Sequence, residues 1–244
     1  MVLRIFCFKL FLSLFLASNL LAQESVLLRY KPRLQEAVYA YYSNSQTLFT
    51  NDSYQKNVES NSQAYLGLRT MKTLENGHLV QRVGVHAGNV MMNGQVFAHP
   101  SLGKYLEYVL APWGAIPKAI GNSMQFKVRN LEMSFPKEPV SVGSTWTVTV
   151  PASTTFPVKT EINYQVNSIL GGLVILDAKL DITEQKVVRN MNFTLKGSAQ
   201  IIFNSDEGLM VRNESNQFIE IRRIGTGLER STKMNVNSIL ELQF

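Results

Sequence analysis

The sequence predicts a mainly β protein, a strongly curved antiparallel sheet of half-barrel-like meander with one amphipathic helix packed on it. Three observations predict this. Apolar and polar residues alternate with a period of two through most of the C-terminal half, the pattern of half-buried strands. Clusters of Gly, Asn, Asp and Ser interrupt that alternation where turns are needed. One segment alone, beginning after Asn122-Ser123, changes to helical spacing.

The N-terminus carries Arg4 and Lys9, then an uncharged apolar run from Leu10 to Leu21, then the small residue Ala22. A positive region, a short apolar core and a small residue at the cut are the parts of a secretory signal, so Met1–Ala22 reads as a signal peptide and 23–244 as one β-rich domain. The single cysteine of the chain, Cys7, precedes the apolar core. A lipidated cysteine would follow that core, so the expectation is an exported protein without a lipid anchor, periplasmic, at the cell surface or extracellular. Its mature part holds no disulfide, and a domain of this length can bury a core without one.

In the N-terminal half, Tyr39–Phe49 and Tyr65–Leu74 read as strands, with the polar stretch Asn51–Gln63 between them undecided. Asn76-Gly77 and Asn93-Gly94 are hairpin-turn signals that bracket a strand from His78 to about Met92. Leu102–Leu110 fits strand or helix and ends at Pro112-Trp113-Gly114. The helix expectation rests on Met124, Val128, Leu131 and Phe135, spaced i, i+4, i+7, i+11, and on Pro136, which pushes its predecessor out of the α region.

The C-terminal half reads as five successive strands. Ile162, Tyr164 and Val166 alternate with polar residues, Leu170-Gly171-Gly172 turns the chain, and Leu173–Thr183 returns. Phe193, Leu195, Gly197, Ala199, Ile201 and Phe203 then share one face, Ser205–Gly208 turns, and Leu209–Arg222 and the stretch ending at Phe244 complete the meander.

Between the two halves stands Phe135-Pro136-Lys137-Glu138-Pro139-Val140-Ser141-Val142-Gly143-Ser144-Thr145-Trp146. It resembles an FP-x-x-PV-x-VG-x-x-W signature of exported bacterial β-rich proteins of unknown function. The resemblance covers these dozen residues and implies a joint near 135–146 between two β meanders. It carries no activity and no catalytic residue.

Charged residues are 17% of the chain and the formal net charge is +6, without a run of Lys and Arg, so no nucleic-acid partner is expected. Ser101 and Lys104 have the Ser-x-x-Lys spacing of acylating enzymes, as do Ser53 with Lys56 and Ser134 with Lys137, but Ser-Asp-Asn and Lys-Thr-Gly companions are missing. His78 and His86 on one straight strand would stand about 27 Å apart, too far to share a metal. Asp177 and Asp181, about 14 Å apart along a strand with Lys179 between them, read as a solvent face rather than a glycosidase pair. Neither a cofactor nor a metal is expected.

The aromatic side chains of the N-terminal half remain. Tyr39, Tyr41, Tyr105, Tyr108 and Trp113, with Met124, Val128, Leu131 and Phe135 of the expected helix, form the candidate apolar groove. The resulting expectation is a non-enzymatic carrier or binder of a lipid or other hydrophobic small molecule. Two alternatives stand beside it: a structural or interaction module with a protein partner in the cell envelope, and an outer-membrane β-barrel, suggested by the closing strand at Leu240, Leu242 and Phe244.

Overall fold

The structure, a computed structural model, describes residues 24–51, 54–115, 118–120, 133–150, 158–188, 190–223 and 230–243. Long strands dominate it. β1 (Ser25–Val26) precedes β2 (Ala37–Asn51), β3 (Tyr54–Thr73), β4 (Leu79–Met92), β5 (Gln95–Ala98), β6 (Tyr105–Leu110) and β7 (Lys118–Ile120). Then come β8 (Val140–Ser141), β9 (Thr145–Val150), β10 (Thr160–Leu170), β11 (Leu173–Val188), β12 (Met191–Asn204), β13 (Leu209–Arg223) and β14 (Arg230–Gln243). All pairings between named strands are antiparallel. Twelve strands make one sheet in the order β7-β6-β4-β3-β2-β14-β13-β12-β11-β10-β9, with β5 on β4, while β1 and β8 form a small second sheet.

Hairpin connections explain that order. β10 to β14 is an uninterrupted meander, and the last strand returns to pair with β2, joining the two halves through Tyr39–Leu242 and Tyr41–Leu240. The two Asn-Gly pairs make different turns. At Asn93-Gly94 both residues have positive φ, the two-residue hairpin geometry. At Asn76-Gly77 only Gly77 does; Gly77 N–H donates to Leu74 O and Leu74 N–H to His78 O, a three-residue loop that needs one left-handed residue. The polar stretch 54–63 is strand throughout, because β2 pairs with it residue by residue, from Asn51 opposite Tyr54 to Tyr42 opposite Gln63.

Directly opposed residues share a face, so the register sorts side chains into an inner face, which bears the core, and an outer face. Near one end of the strands the inner face is packed solid by Tyr39, Leu66, Val85, Tyr108, Leu176, Phe203 and Leu240. The N-terminal segment crosses this end, burying Leu28 and Tyr30. Tyr30 N–H donates to Pro112 O (2.7 Å), and its hydroxyl accepts from Met133 N–H (2.7 Å).

The helix expected over Met124–Phe135 is corrected: the described residues are all-β and contain no helix. Met124, Val128 and Leu131 lie outside the described residues. Met133 and Phe135, two residues apart, are both buried, with Ser134 between them half-buried, which is the burial of extended chain. Phe135 N–H donates to Trp113 O (2.7 Å), not to a carbonyl four residues earlier as a helix would require. The barrel alternative is corrected as well: among the described residues the sheet path ends at β7 and β9 without closing.

The Met133–Pro136 segment instead ties together the two ends of the sheet. Trp113, just after β6, holds Phe135, and Trp146 of β9 donates from Nε1 to Ser134 O (2.8 Å). Gly114, at φ 88°, is required here, because a Cβ at that position would collide with Met133 O. The Phe135 ring packs 5.2 Å from Tyr30 and 4.7 Å from Phe203. Within the Phe-Pro-containing motif, Gly143 is left-handed and its N–H donates to Val166 O (2.8 Å), while Trp146 stacks on Tyr164 at 5.2 Å.

Phe203→Ala removes the shared ring of this cluster. Equilibrium urea unfolding is expected to show a loss of about 3–5 kcal/mol, the usual cost of emptying a buried aromatic site; a loss below about 1 kcal/mol would contradict the packing described.

Candidate functional site

Beyond the packed end, the inner face changes character along the same strands. Across the middle of β10–β13 the inward residues shorten: Ala178 opposes Ala199, and Gly197 opposes Leu180 on one side and Gln217 on the other. Absent side chains leave space, and a cleft of about 110 Å³ lies there, roofed by Met133 and walled by Ile162, Tyr164, Leu180 and Ile201. Asn213, Ser215 and Gln217 form its polar side. Ser215 and Ser238 close that side by a buried Oγ–Oγ hydrogen bond of 2.8 Å.

Further along the strands the inner face is apolar again. Ile182, Leu195 and Ile219 lie in one cross-strand row with Met234, and Phe193 opposes Ile221 in the next. Val158, Ile182, Phe193 and Leu195 are buried, with Leu180, Ile219 and Ile221 half-buried against them as a second cluster. The cleft therefore lies between two apolar regions of one face, and its floor is made of the smallest residues. A space of this size is below the roughly 300–1,000 Å³ of complete small-molecule sites.

The residues singled out from sequence occupy several environments. Tyr39 and Tyr108 are fully buried core residues, their hydroxyls donating to Met210 O (3.0 Å) and Gln81 Oε1 (3.0 Å). Tyr41 and Trp113 are half-buried against the same core, and Phe135 is buried within it. Tyr105 is exposed, with the Arg82 guanidinium 4.6 Å above its ring. Met124, Val128 and Leu131 lie outside the described residues. The cleft uses other residues, on β10–β13. Its sequence signal is Gly197-x-Ala199 interrupting a face otherwise built of Phe, Leu and Ile.

The other candidates hold ordinary structural positions. Lys104 Nζ donates to Pro100 O (2.8 Å), while Ser101 is buried and its N–H donates to His99 Nδ1 (3.2 Å). Burial lowers the His99 pKa from its ordinary value. His86 Nε2 stands 3.0 Å from Glu36, and His78 meets the Trp113 ring edge-on at 5.7 Å. Asp177, Lys179 and Asp181 are on the outer face of β11, opposite the core-facing Ala178 and Leu180. Among the described residues, no three His, Cys, Asp or Glu side chains are grouped to hold a metal ion.

Residues 121–210 match the model of a family of unknown function, DUF6263. That span includes the Phe135–Trp146 motif, the cleft floor and Met133. Comparison with curated proteins finds no match. Among solved structures, the chain is similar to one described as lipid–protein interactions in lipovitellin, at a TM-score of 0.49 and 9% identity. The likeness covers 88% of this chain and 25% of that one, so the chain spans about a quarter of lipovitellin's length.

Burial also sets a pH dependence. Desolvation pushes the Tyr164 hydroxyl, beside the cleft, up to about 12, and raises Tyr39 as well. A pKa higher in the folded than in the unfolded state means stability that is complete below the unfolded value, about 10, and is lost as pH rises through the folded one. Urea midpoints measured from pH 9 upward are expected to hold to about pH 10 and then fall towards pH 12. Tyr164→Phe should make that decline shallower, and an unchanged slope would contradict its burial.

Proposed function

We propose that this protein is a non-enzymatic, exported binder of a lipid or other hydrophobic ligand, which it holds on the inner face of its sheet. One observation supports the reading above the rest. The Gly197–Ala199 cleft opens between two apolar clusters, and an acyl chain seated in it would lie against Ile162, Leu180 and Ile201 without meeting a charged inward side chain. Burying hydrocarbon there would contribute about 25 cal/mol per Å² removed from water. The polar side formed by Asn213, Ser215 and Gln217 supplies groups for a head-group or ester oxygen. The Arg4–Ala22 pattern in the sequence supports export, and with it a binding event in the cell envelope or outside it.

The envelope-partner reading has an observation of its own. The β4–β5 hairpin exposes Met91, Met92, Val96 and Phe97, the last two at 66% and 51%, and no Asp, Glu, Lys or Arg occurs between Ala87 and Pro100. Exposed apolar side chains gathered on one sheet edge are a protein-contact feature.

Native mass spectrometry of the protein purified from its own export compartment, followed by solvent extraction, tests the first reading. A bound lipid or fatty acid is the expected result. At Gly197 a Cβ would meet only ordinary contacts, at 3.4–3.6 Å. Gly197→Ala should therefore fold and keep its ligand, whereas Gly197→Leu should fold and lose it by filling the cleft. Ligand retained in Gly197→Leu would place the binding elsewhere.

A further inference from the structure

The outer face carries a row that the core does not explain. Asn61 of β3 opposes Asn44 of β2, Asn44 opposes Asn237 of β14, and Asn237 opposes Asn216 of β13. Each is the eighth residue of its strand, far from any turn. Asparagine is disfavoured within strands, where its side chain competes for backbone hydrogen bonds, so four in one cross-strand line at mid-strand need a reason. Packing does not provide it, since Asn44, Asn216 and Asn237 are exposed. The row continues through Ser198 and Lys179 to Asn163.

The surface is hollowed along this line. A trough of about 500 Å³ lies over Asn44, Asn61, Asn216 and Asn237. A second of about 500 Å³ adjoins it at Asn216 and Asn237 and runs on to Ser198 and Asn163, where Lys179, Asp181 and Lys196 make its far part charged. Tyr42, 41% exposed, flanks the row on one side, and Phe218 flanks it on the other. Glu214, the one carboxylate lining the first trough, is paired with Arg212 at 3.2 Å.

We infer that this trough is a second binding site, for an extended, uncharged polysaccharide chain crossing the strands. Each primary amide offers donors and an acceptor together, as recognition of hydroxyl groups requires, and carries no charge to select an ion. Strand spacing sets the amides about 4.8 Å apart, about 14 Å over the four asparagines and about 29 Å to Asn163. Ring hydroxyls of a linked pyranose chain recur at a comparable interval. Tyr42 and Phe218 supply apolar ring faces for the C–H faces of the sugars. The site is on the face opposite the proposed lipid cleft and does not depend on it.

Titration of the purified protein with chitohexaose, followed by isothermal calorimetry and by amide chemical shifts, tests the inference, with cellohexaose as a second probe. Saturable binding of at least one, with shifts centred on residues 44, 61, 216 and 237, is expected. The double variant Asn44→Ala, Asn216→Ala should weaken it at least tenfold with an unchanged melting temperature, while Gly197→Leu leaves it intact. Absence of binding to both at millimolar concentration, or binding indifferent to the double variant, overturns the inference. Equal affinity for a Gly-Ser decapeptide overturns it in favour of a backbone-reading site.

Discussion

One contact holds the architecture together: Phe135 lying between Tyr30 and Phe203, with its backbone bonded to Trp113 and that of Ser134 bonded to Trp146. A broad antiparallel sheet with an apolar face must cover that face or lose it to water. No helical layer does so among the described residues. The chain's own N-terminal segment and the Met133–Pro136 segment cover one end, the latter bonded to Trp113 after β6 and to Trp146 of β9. Gly114 permits the closeness of that segment, and the positions of Leu28, Tyr39 and Tyr108 within a single core follow from it.

The inner face changes along each strand. At the covered end, Leu, Phe and Tyr interlock; at the middle, Gly197, Ala199, Ser215 and Ser238 leave little to pack; beyond, Ile182, Leu195 and Ile219 restore an apolar surface. The middle is polar on both faces. Ser43 with Asn44, Ser62 with Asn61, Ser238 with Asn237 and Ser215 with Asn216 are adjacent in sequence, so period-two alternation sends serine inward and asparagine outward at one level of the sheet. Both proposed sites are therefore consequences of one polar girdle, read from its two sides.

Much of the sheet was legible residue by residue. The alternation of Phe193 to Phe203 is β12, and the turn at Ser205–Gly208 gives the β12–β13 hairpin, because period and turn chemistry are local properties of the chain. The helix expectation fails at Phe135 because apolar spacing is a local signal, whereas the extended Met133–Phe135 backbone is held by Tyr30 and Trp113, partners distant in sequence. Residues 54–63 were undecided for the same reason: their polarity hides a strand whose pairing with β2 settles it. The aromatic residues were recognised as apolar anchors, but a count of rings cannot tell a filled core from an open groove. The cleft itself came from missing bulk at Gly197 and Ala199, a weaker signal than the rings around it.

The sequence by itself determined the alternation of the long C-terminal strands and the turns between them, and it gave the expectation of export, with the one cysteine ahead of the expected mature part. Those properties depend on neighbours within a few positions. Tertiary structure alone decided the pairing of β14 with β2, the strap across the core, and the alignment of four distant asparagines in one row. The reason is physical: register between strands is set by which faces can be buried together, and a one-residue slip would have turned every serine and asparagine of the girdle to the opposite side.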